Sequence, residues 1–232
     1  MKKAIVLCSG GLDSVVTSYY AKKKFNYKDI FILFFDYKQK AYENEKKLSK
    51  KCAKNLKAKF IEIKVHELGK ISNSLINKKG KIKKLKRKDL KDTKKESEKF
   101  YVPCRNSLFL VYSFAFAESL YLKEKKKFDI DIFVGFKNEG EESYPDTSER
   151  FVREIERLSK ISCVKGFSIK APLIKKDKED IIKIGKKLGV DFKETHSCYI
   201  GNKKHCGSCL ACKLRQEGFY WANVKDLTDY MK

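Results

Sequence analysis

The sequence predicts an α/β domain built on a doubly wound, mostly parallel sheet, and three observations carry that expectation. Short apolar runs alternate with stretches of helical spacing along most of the 232 residues. Two of these runs, Ala4-Ile5-Val6-Leu7 and Ile30-Phe31-Ile32-Leu33-Phe34-Phe35, are unbroken, as strands covered on both faces are. The first run leads through Gly10-Gly11 straight into a helical pattern, the strand, tight turn and helix start of a βαβ unit.

Leu12 to Phe25 carries apolar residues at helical spacing and should form the first helix. The second strand ends at Asp36, Tyr37 and Gln39, on what would be the carboxyl edge of the sheet, where ligands bind in such folds. A second helix follows from about Ala41 to Leu56. Phe60-Ile61-Glu62-Ile63-Lys64-Val65 alternates like a third strand, which completes βαβαβ within 65 residues.

Between Asn77 and Lys99 the pattern fails, and the stretch is dominated by Lys. A mobile loop is expected, either a basic lid over a polyphosphate, a contact for RNA, or a solvated insertion. Order returns at Tyr101-Val102-Pro103-Cys104-Arg105-Asn106, before a long apolar helix from about Ser107 to Lys123 whose start places Arg105 and Asn106 to hold phosphate. Asp131-Ile132-Phe133-Val134-Gly135 is a further strand. It opens into the polar segment from Phe136 to Asp146, again at the sheet's carboxyl edge, where ligand contacts or a solvated turn are the alternatives. Helical spacing from Phe151 to Ile161, a strand at Phe167-Ser168-Ile169-Lys170 and a helix from Asp177 to Gly189 continue the alternation. The whole reads as a Rossmann-like domain over residues 1–195, with residues 196–232 as a small metal-binding tail packed on it.

The stretch Cys8-Ser9-Gly10-Gly11-Leu12-Asp13-Ser14 carries the chemistry. Free N–H groups at the helix start, with the hydroxyls of Ser9 and Ser14, make an anion site whose field favours a pyrophosphate. Asp13 has the wrong charge for phosphate and suits a ligand of the Mg²⁺ that accompanies a nucleotide, or a residue of the helix's first turn. No Gly-Lys-Ser/Thr ending follows, so a loop of the kinase or GTPase kind, holding the β- and γ-phosphates, is not expected.

The net charge is +24, from 54 Lys and Arg against 30 Asp and Glu. It would attract any polyanion, yet lysine far outnumbers arginine and is spread along nearly every segment, as compositional bias alone produces. Base reading and bidentate phosphate contacts favour arginine. A nucleic-acid partner is therefore allowed but not required. No run approaches the length of a membrane span, and Met1-Lys2-Lys3 runs into a short strand rather than a signal peptide, so a cytoplasmic protein without membrane contact is expected.

Of eight cysteines, four are clustered: Cys198, Cys206, Cys209 and Cys212. Four soft ligands within fifteen residues, with glycines at 201 and 207 to wrap the chain, suit Zn²⁺ in a closed tetrahedral site that braces structure. An iron–sulfur cluster on the 206, 209 and 212 sulfurs, replacement of one sulfur by His196 or His205, and plain thiols remain as alternatives.

The string Ser9-Gly10-Gly11-Leu12-Asp13-Ser14 resembles the pyrophosphate loop of the N-type ATP pyrophosphatases, whose fold is the adenine nucleotide alpha-hydrolase-like one. With Val102-Pro103-Cys104-Arg105-Asn106, Ser143-Tyr144-Pro145-Asp146 and the terminal cysteines in the same order, nearly the whole chain resembles the 7-cyano-7-deazaguanine (preQ0) synthase, or QueC, family. Cys209-Leu210-Ala211-Cys212-Lys213-Leu214-Arg215 is similar to that family's ending, a short helix leaving the zinc site.

The resemblance implies that 7-carboxy-7-deazaguanine, ATP and ammonia give 7-cyano-7-deazaguanine, a precursor of queuosine or archaeosine, through an adenylated acid and an adenylated amide. It implies catalysis by Ser9, Asp13, Ser14 and Arg105. Nucleotide contacts are implied at Cys8, Ser9, Gly10, Gly11, Leu12, Asp13, Ser14, Phe35, Asp36, Arg105, Asn106 and Gly135. The deazapurine would meet Asn138, Glu142, Tyr144 and Asp146. ATP, Mg²⁺ and Zn²⁺ are the implied cofactors, and a homodimer the implied assembly. Where the family commonly has Asp-x-Ser-Gly-Tyr-Pro-Asp-Cys-Arg, this chain reads Glu141-Glu142-Ser143-Tyr144-Pro145-Asp146-Thr147-Ser148. That departure keeps a second reading, a paralogue that adenylates a deazapurine acid for another acceptor such as a protein in antiviral defence. A tRNA-modifying pyrophosphatase and a zinc-bearing nucleic-acid binder are the others.

Overall fold

In a computed structural model the chain is described at residues 2–125, 128–137 and 144–231. Five strands, β1 (Lys2–Leu7), β2 (Asp29–Asp36), β3 (Lys59–Lys64), β4 (Asp129–Phe133) and β5 (Ser168–Lys170), form one sheet in the order β3-β2-β1-β4-β5. Every pairing is parallel. The connection from β1 to β2 runs to one side of β1, and the chain returns to its other side with β4. The carboxyl ends of β1 and β4 therefore flank the reversal point of a doubly wound sheet, where a crevice opens.

Side-chain alternation along the strands separates two cores. Ala4 and Val6 of β1 join Ile30 and Ile32 of β2 on one face, beneath α1 (Leu12–Lys23), α2 (Tyr42–Asn55), α7 (Lys178–Lys187) and α8 (Leu210–Trp221). Ile5, Phe31, Leu33 and Ile132 point to the other face. There they meet Leu68 of α3 (His66–Ile71), Leu110, Phe114 and Ala117 of α5 (Arg105–Lys123), and Ile155 of α6 (Glu149–Ser162). β2 is buried along nearly its whole length, as its unbroken apolar run requires, while the alternating β3 lies at the sheet edge.

Helix and strand positions agree with the sequence reading to within a few residues, apart from α3, whose six residues carry too little periodicity to be read. The lysine-rich segment corrects one expectation. It is fastened, not loose: Ile82 packs against the cysteine cluster, Leu85 is buried, and its N–H donates to Ser208 O at 2.8 Å. A 3₁₀ turn at Arg87–Lys91 then packs on α8, and the short helix α4 (Lys94–Glu98) closes the segment. Two apolar anchors among the lysines suffice to pin the strap to the core.

Candidate active site

The loop after β1 is shaped by its glycines and held from behind by α2. Gly10 has a φ of +76°, and a Cβ there would lie 2.6 Å from Glu45 O. Ser49 Oγ donates to Cys8 O at 2.8 Å, and His196 N–H donates to Gly10 O at 2.9 Å. The turn delivers the chain to α1 with Ser14 Oγ bonded to Gly11 O at 2.9 Å and Ser9 Oγ 3.4 Å from Ser14 Oγ. The first N–H groups of α1 have no intrahelical acceptor, so the loop presents donors and a positive dipole end.

This loop borders a cavity of about 340 Å³ at the carboxyl edge of the sheet. The cavity gathers Cys8, Ser9, Gly11, Leu12, Asp13 and Ser14 with Phe35 from the end of β2 and Gly135 beyond β4. Gly135 permits that closeness: a Cβ there would lie 3.0 Å from both N and Cα of Ser14. Gly10 itself faces α2 rather than the cavity lining.

Across the cavity the start of α5 contributes Arg105 and Asn106. Asn106 is tied to the segment after β4 by two bonds, both donated by Asn106: its N–H to Asp146 Oδ2 at 3.2 Å and its Nδ2 to Asp146 O at 3.1 Å. Tyr144 lines the same wall, stacked on Tyr101 with ring centroids 5.3 Å apart, and its hydroxyl donates to Ser97 O at 2.6 Å. Burial works against the Arg105 cation, but the neighbouring Tyr37, Asp146 and Tyr199 outweigh it and raise its pKa. Arg105 therefore stays charged inside the cavity. Asn138 and Glu142 lie outside the described residues.

Two residues depart from the sequence reading. Asp36 does not line the cavity; its carboxylate accepts from Lys38 N–H at 3.1 Å and meets His66 Nε2 at 2.7 Å. Burial opposes its charge, but those two partners win and its pKa is lowered. Lys178, the first residue of α7, was not singled out by sequence, yet it lines the cavity with Nζ 2.6 and 2.7 Å from the two carboxylate oxygens of Asp13. Its only signal was position, just beyond the β5 edge at a helix start.

The four C-terminal cysteines converge with their sulfurs within 4.8 Å of one another. Cys206 Sγ and Cys212 Sγ are 3.9 Å apart, and a tetrahedron with metal–sulfur bonds of about 2.3 Å has edges of about 3.8 Å. Backbone N–H groups of Ser208 and Cys209 point at Cys206 Sγ at 3.5 and 3.3 Å, as donors around a thiolate ligand do. The donor set thus fits a metal ion. His196 and His205 stay outside it: His196 Nε2 is 3.0 Å from Cys198 O, and His205 Nε2 accepts from Ser197 N–H at 3.0 Å. The fully buried Arg215 clamps this module to the sheet domain, donating to Thr195 Oγ1 at 2.8 Å, Phe192 O at 2.9 Å and Thr228 Oγ1 at 2.9 Å.

The sequence model of the family described as "Queuosine biosynthesis protein QueC" matches residues 3–223. A 7-cyano-7-deazaguanine synthase of Methanosphaera stadtmanae is 37% identical over 234 residues, covering 99% of both chains. One from Methanobrevibacter smithii is 33% identical, covering 99% of this chain and 98% of that relative. Among solved structures, the U34-tRNA thiolase NcsA of Methanococcus maripaludis gives a TM-score of 0.43 at 13% identity over 96% of this chain and 65% of that one, too distant to weigh further. A loop of donors at a sheet reversal point, a shared cavity and a four-cysteine module thus sit in a sequence matched from end to end, and the chain belongs to the QueC family.

Proposed function

We propose that the chain converts 7-carboxy-7-deazaguanine and ammonia to 7-cyano-7-deazaguanine with ATP. The observation that carries this reading is the single cavity bordered by the loop from Cys8 to Ser14, by Arg105 and Asn106, and by Tyr144 and Asp146, in a chain that belongs to the QueC family. A carboxylate is a poor electrophile, and transfer of AMP onto its oxygen supplies a leaving group. Both adenylations gather negative charge on phosphates, so the loop's N–H groups, Ser9, Ser14, Arg105 and Lys178 would stabilise the departing pyrophosphate. Asp13 would hold Mg²⁺, which screens phosphate charge when bound. Ammonia displaces the first AMP to give the amide. Adenylation of the amide oxygen followed by loss of AMP and the two nitrogen protons gives the nitrile. Asp146, fastened to Asn106, and Tyr144, held by Tyr101 and Ser97, would position the deazapurine beside the phosphate wall.

Cys198, Cys206, Cys209 and Cys212 would hold Zn²⁺ as a closed structural site. A homodimer acting in the cytoplasm completes the reading; no described helix is long and apolar enough to cross a membrane. The test is turnover followed by mass spectrometry with 7-carboxy-7-deazaguanine, Mg·ATP and ammonium. Nitrile and AMP are expected. AMP and pyrophosphate without nitrile would transfer the product to another acceptor, and the absence of both would overturn the reading.

A further inference from the structure

The cavity contains one acid that the phosphate and deazapurine contacts leave unused. Glu45, on the first turn of α2, lines it beside Cys8 and Arg105. Its Oε2 accepts from Gln39 Nε2 at 2.9 Å. Gln39 is itself fixed, because Nε2 also donates to Phe35 O at 3.0 Å and Oε1 accepts from Tyr37 N–H at 2.9 Å. A buried amide locked to the end of β2 thus aims the carboxylate. Among the described residues no donor reaches Glu45 Oε1. Glu45 lines the cavity, so this oxygen is the one left to meet a ligand there.

The other described acids of the cavity are committed elsewhere. Asp13 gives both oxygens to Lys178, and Asp146 takes the N–H of Asn106. Glu45 is also tuned differently. Burial lifts its pKa most and Cys8 adds to this, while Gln39 and Arg105 pull the other way and lose, leaving it at about 7. A carboxyl group poised there exchanges protons at neutral pH.

We propose that Glu45 is the general base of the amidation step, taking a proton from ammonium as nitrogen attacks the adenylated carboxyl carbon; the assignment rests on the synthase reading above. Ammonium is the dominant form at neutral pH and has no lone pair to attack with. Transfer of one proton to Glu45 Oε1 frees that pair. The carbon–nitrogen bond then forms, the carbon–oxygen bond to AMP breaks with its electron pair leaving on AMP, and the remaining extra proton passes to solvent. The carboxylate's charge would also draw ammonium into a cavity that Arg105 and Lys178 otherwise make positive.

Hydroxylamine separates this role from a structural one, because it is largely neutral at the same pH and needs no base to become a nucleophile. Rates of amide and hydroxamate formation would be measured for the full chain and for Glu45→Gln, which keeps the volume and still accepts from Gln39. The ammonium-to-hydroxylamine rate ratio is expected to fall about 10²-fold in the variant. In the unaltered protein, the ammonium rate should rise with pH along a limb that levels off above about 7, whereas direct attack by free ammonia would go on rising well beyond it; hydroxylamine has no such limb. An unchanged ratio together with no separate limb would overturn the assignment while leaving the synthase reading intact. If the unaltered protein shows no pyrophosphate exchange dependent on the deazapurine acid, the synthase reading fails and this assignment with it.

Discussion

Lys178 Nζ bridges the two carboxylate oxygens of Asp13, so the acid proposed to hold Mg²⁺ is paired with a cation that lines the same cavity. The pair joins the first turn of α1 to the first residue of α7 across 165 positions of sequence. Both side chains are partly open, 18% and 25% exposed, and such pairs contribute only about 1 kcal/mol to stability. The functional consequence of losing either is larger, because charge placed before phosphate transfer needs no rearrangement during it.

Asp13→Ala is therefore expected to lower pyrophosphate exchange by about 10²-fold or more while shifting stability by no more than about 1 kcal/mol. Lys178→Met should raise the KM for ATP about tenfold. Exchange kinetics at varied ATP, alongside urea unfolding, measure both. Undiminished exchange by Asp13→Ala would remove that carboxylate from the mechanism.

Glu45 links the site to the stability of the fold. Its carboxyl pKa is raised from 4.5 to about 7, so the folded state binds this proton more tightly than the unfolded chain does. The stabilisation from that proton is complete below the unfolded pKa and is lost as pH rises through about 7. Glutamine has no such dependence. The stability of Glu45→Gln relative to the unaltered protein should therefore increase between pH 5 and pH 8, by up to about 3 kcal/mol. Urea unfolding at the two pH values reads the difference directly, and a constant difference would mean that the carboxyl titrates normally.

The pattern of what sequence discloses follows from how local each signal is. β1, its loop and α1 are contiguous, and their apolar run, glycines and hydroxyls declare the turn before any contact is known. The cysteines are nearly as local, fifteen residues from first to last. Glu45, Lys178 and Asp36 depend on contacts between distant segments. One more lysine in a chain with 54 basic residues carries no distinguishing mark, and Glu45 looks like any acid on a charged helix. The resemblance implies a nucleotide contact for Asp36, and its place at a strand end agrees, but the histidine thirty residues on that captures it cannot be read from spacing. In the strap from 77 to 99 the surplus of lysine hid Ile82 and Leu85, the two residues that fasten it.

The cysteine module supports a prediction in which metal content and folding move together. Cys209 is fully buried at the N-terminal end of α8, whose Phe219, with Ala222 just past the helix, enters the core beside α1 and α7. Cys209→Ser should lower bound zinc and stability in parallel, since a ligand set that forms only on folding makes metal affinity part of folding free energy. Elemental analysis and thermal melting would be followed on the same preparation. A variant fully loaded with zinc and melting normally would show that the four sulfurs do not act as one site.

Gly135 gives the most direct test of how closely the loop is held. Its backbone passes so near α1 that a Cβ would lie 3.0 Å from Ser14 N and Cα and 3.1 Å from Asp13 C, all main-chain atoms without rotamers to absorb the strain. Neither side yields easily. Val134, one residue back, is pinned by its N–H to Lys170 O at 3.0 Å, and α1 is anchored in the core by Leu12, Val15 and Val16. Gly135→Ala must therefore move the first turn of α1, which costs about 1–3 kcal/mol. Because that turn is the proposed phosphate donor array, displacement of a few tenths of an ångström should also weaken ATP binding about tenfold. Calorimetric binding of a non-hydrolysable ATP analogue together with urea unfolding separates the two effects. If stability falls and affinity does not, the loop adjusts independently of α1, and its donors are held by α2 and His196 rather than by the helix they begin.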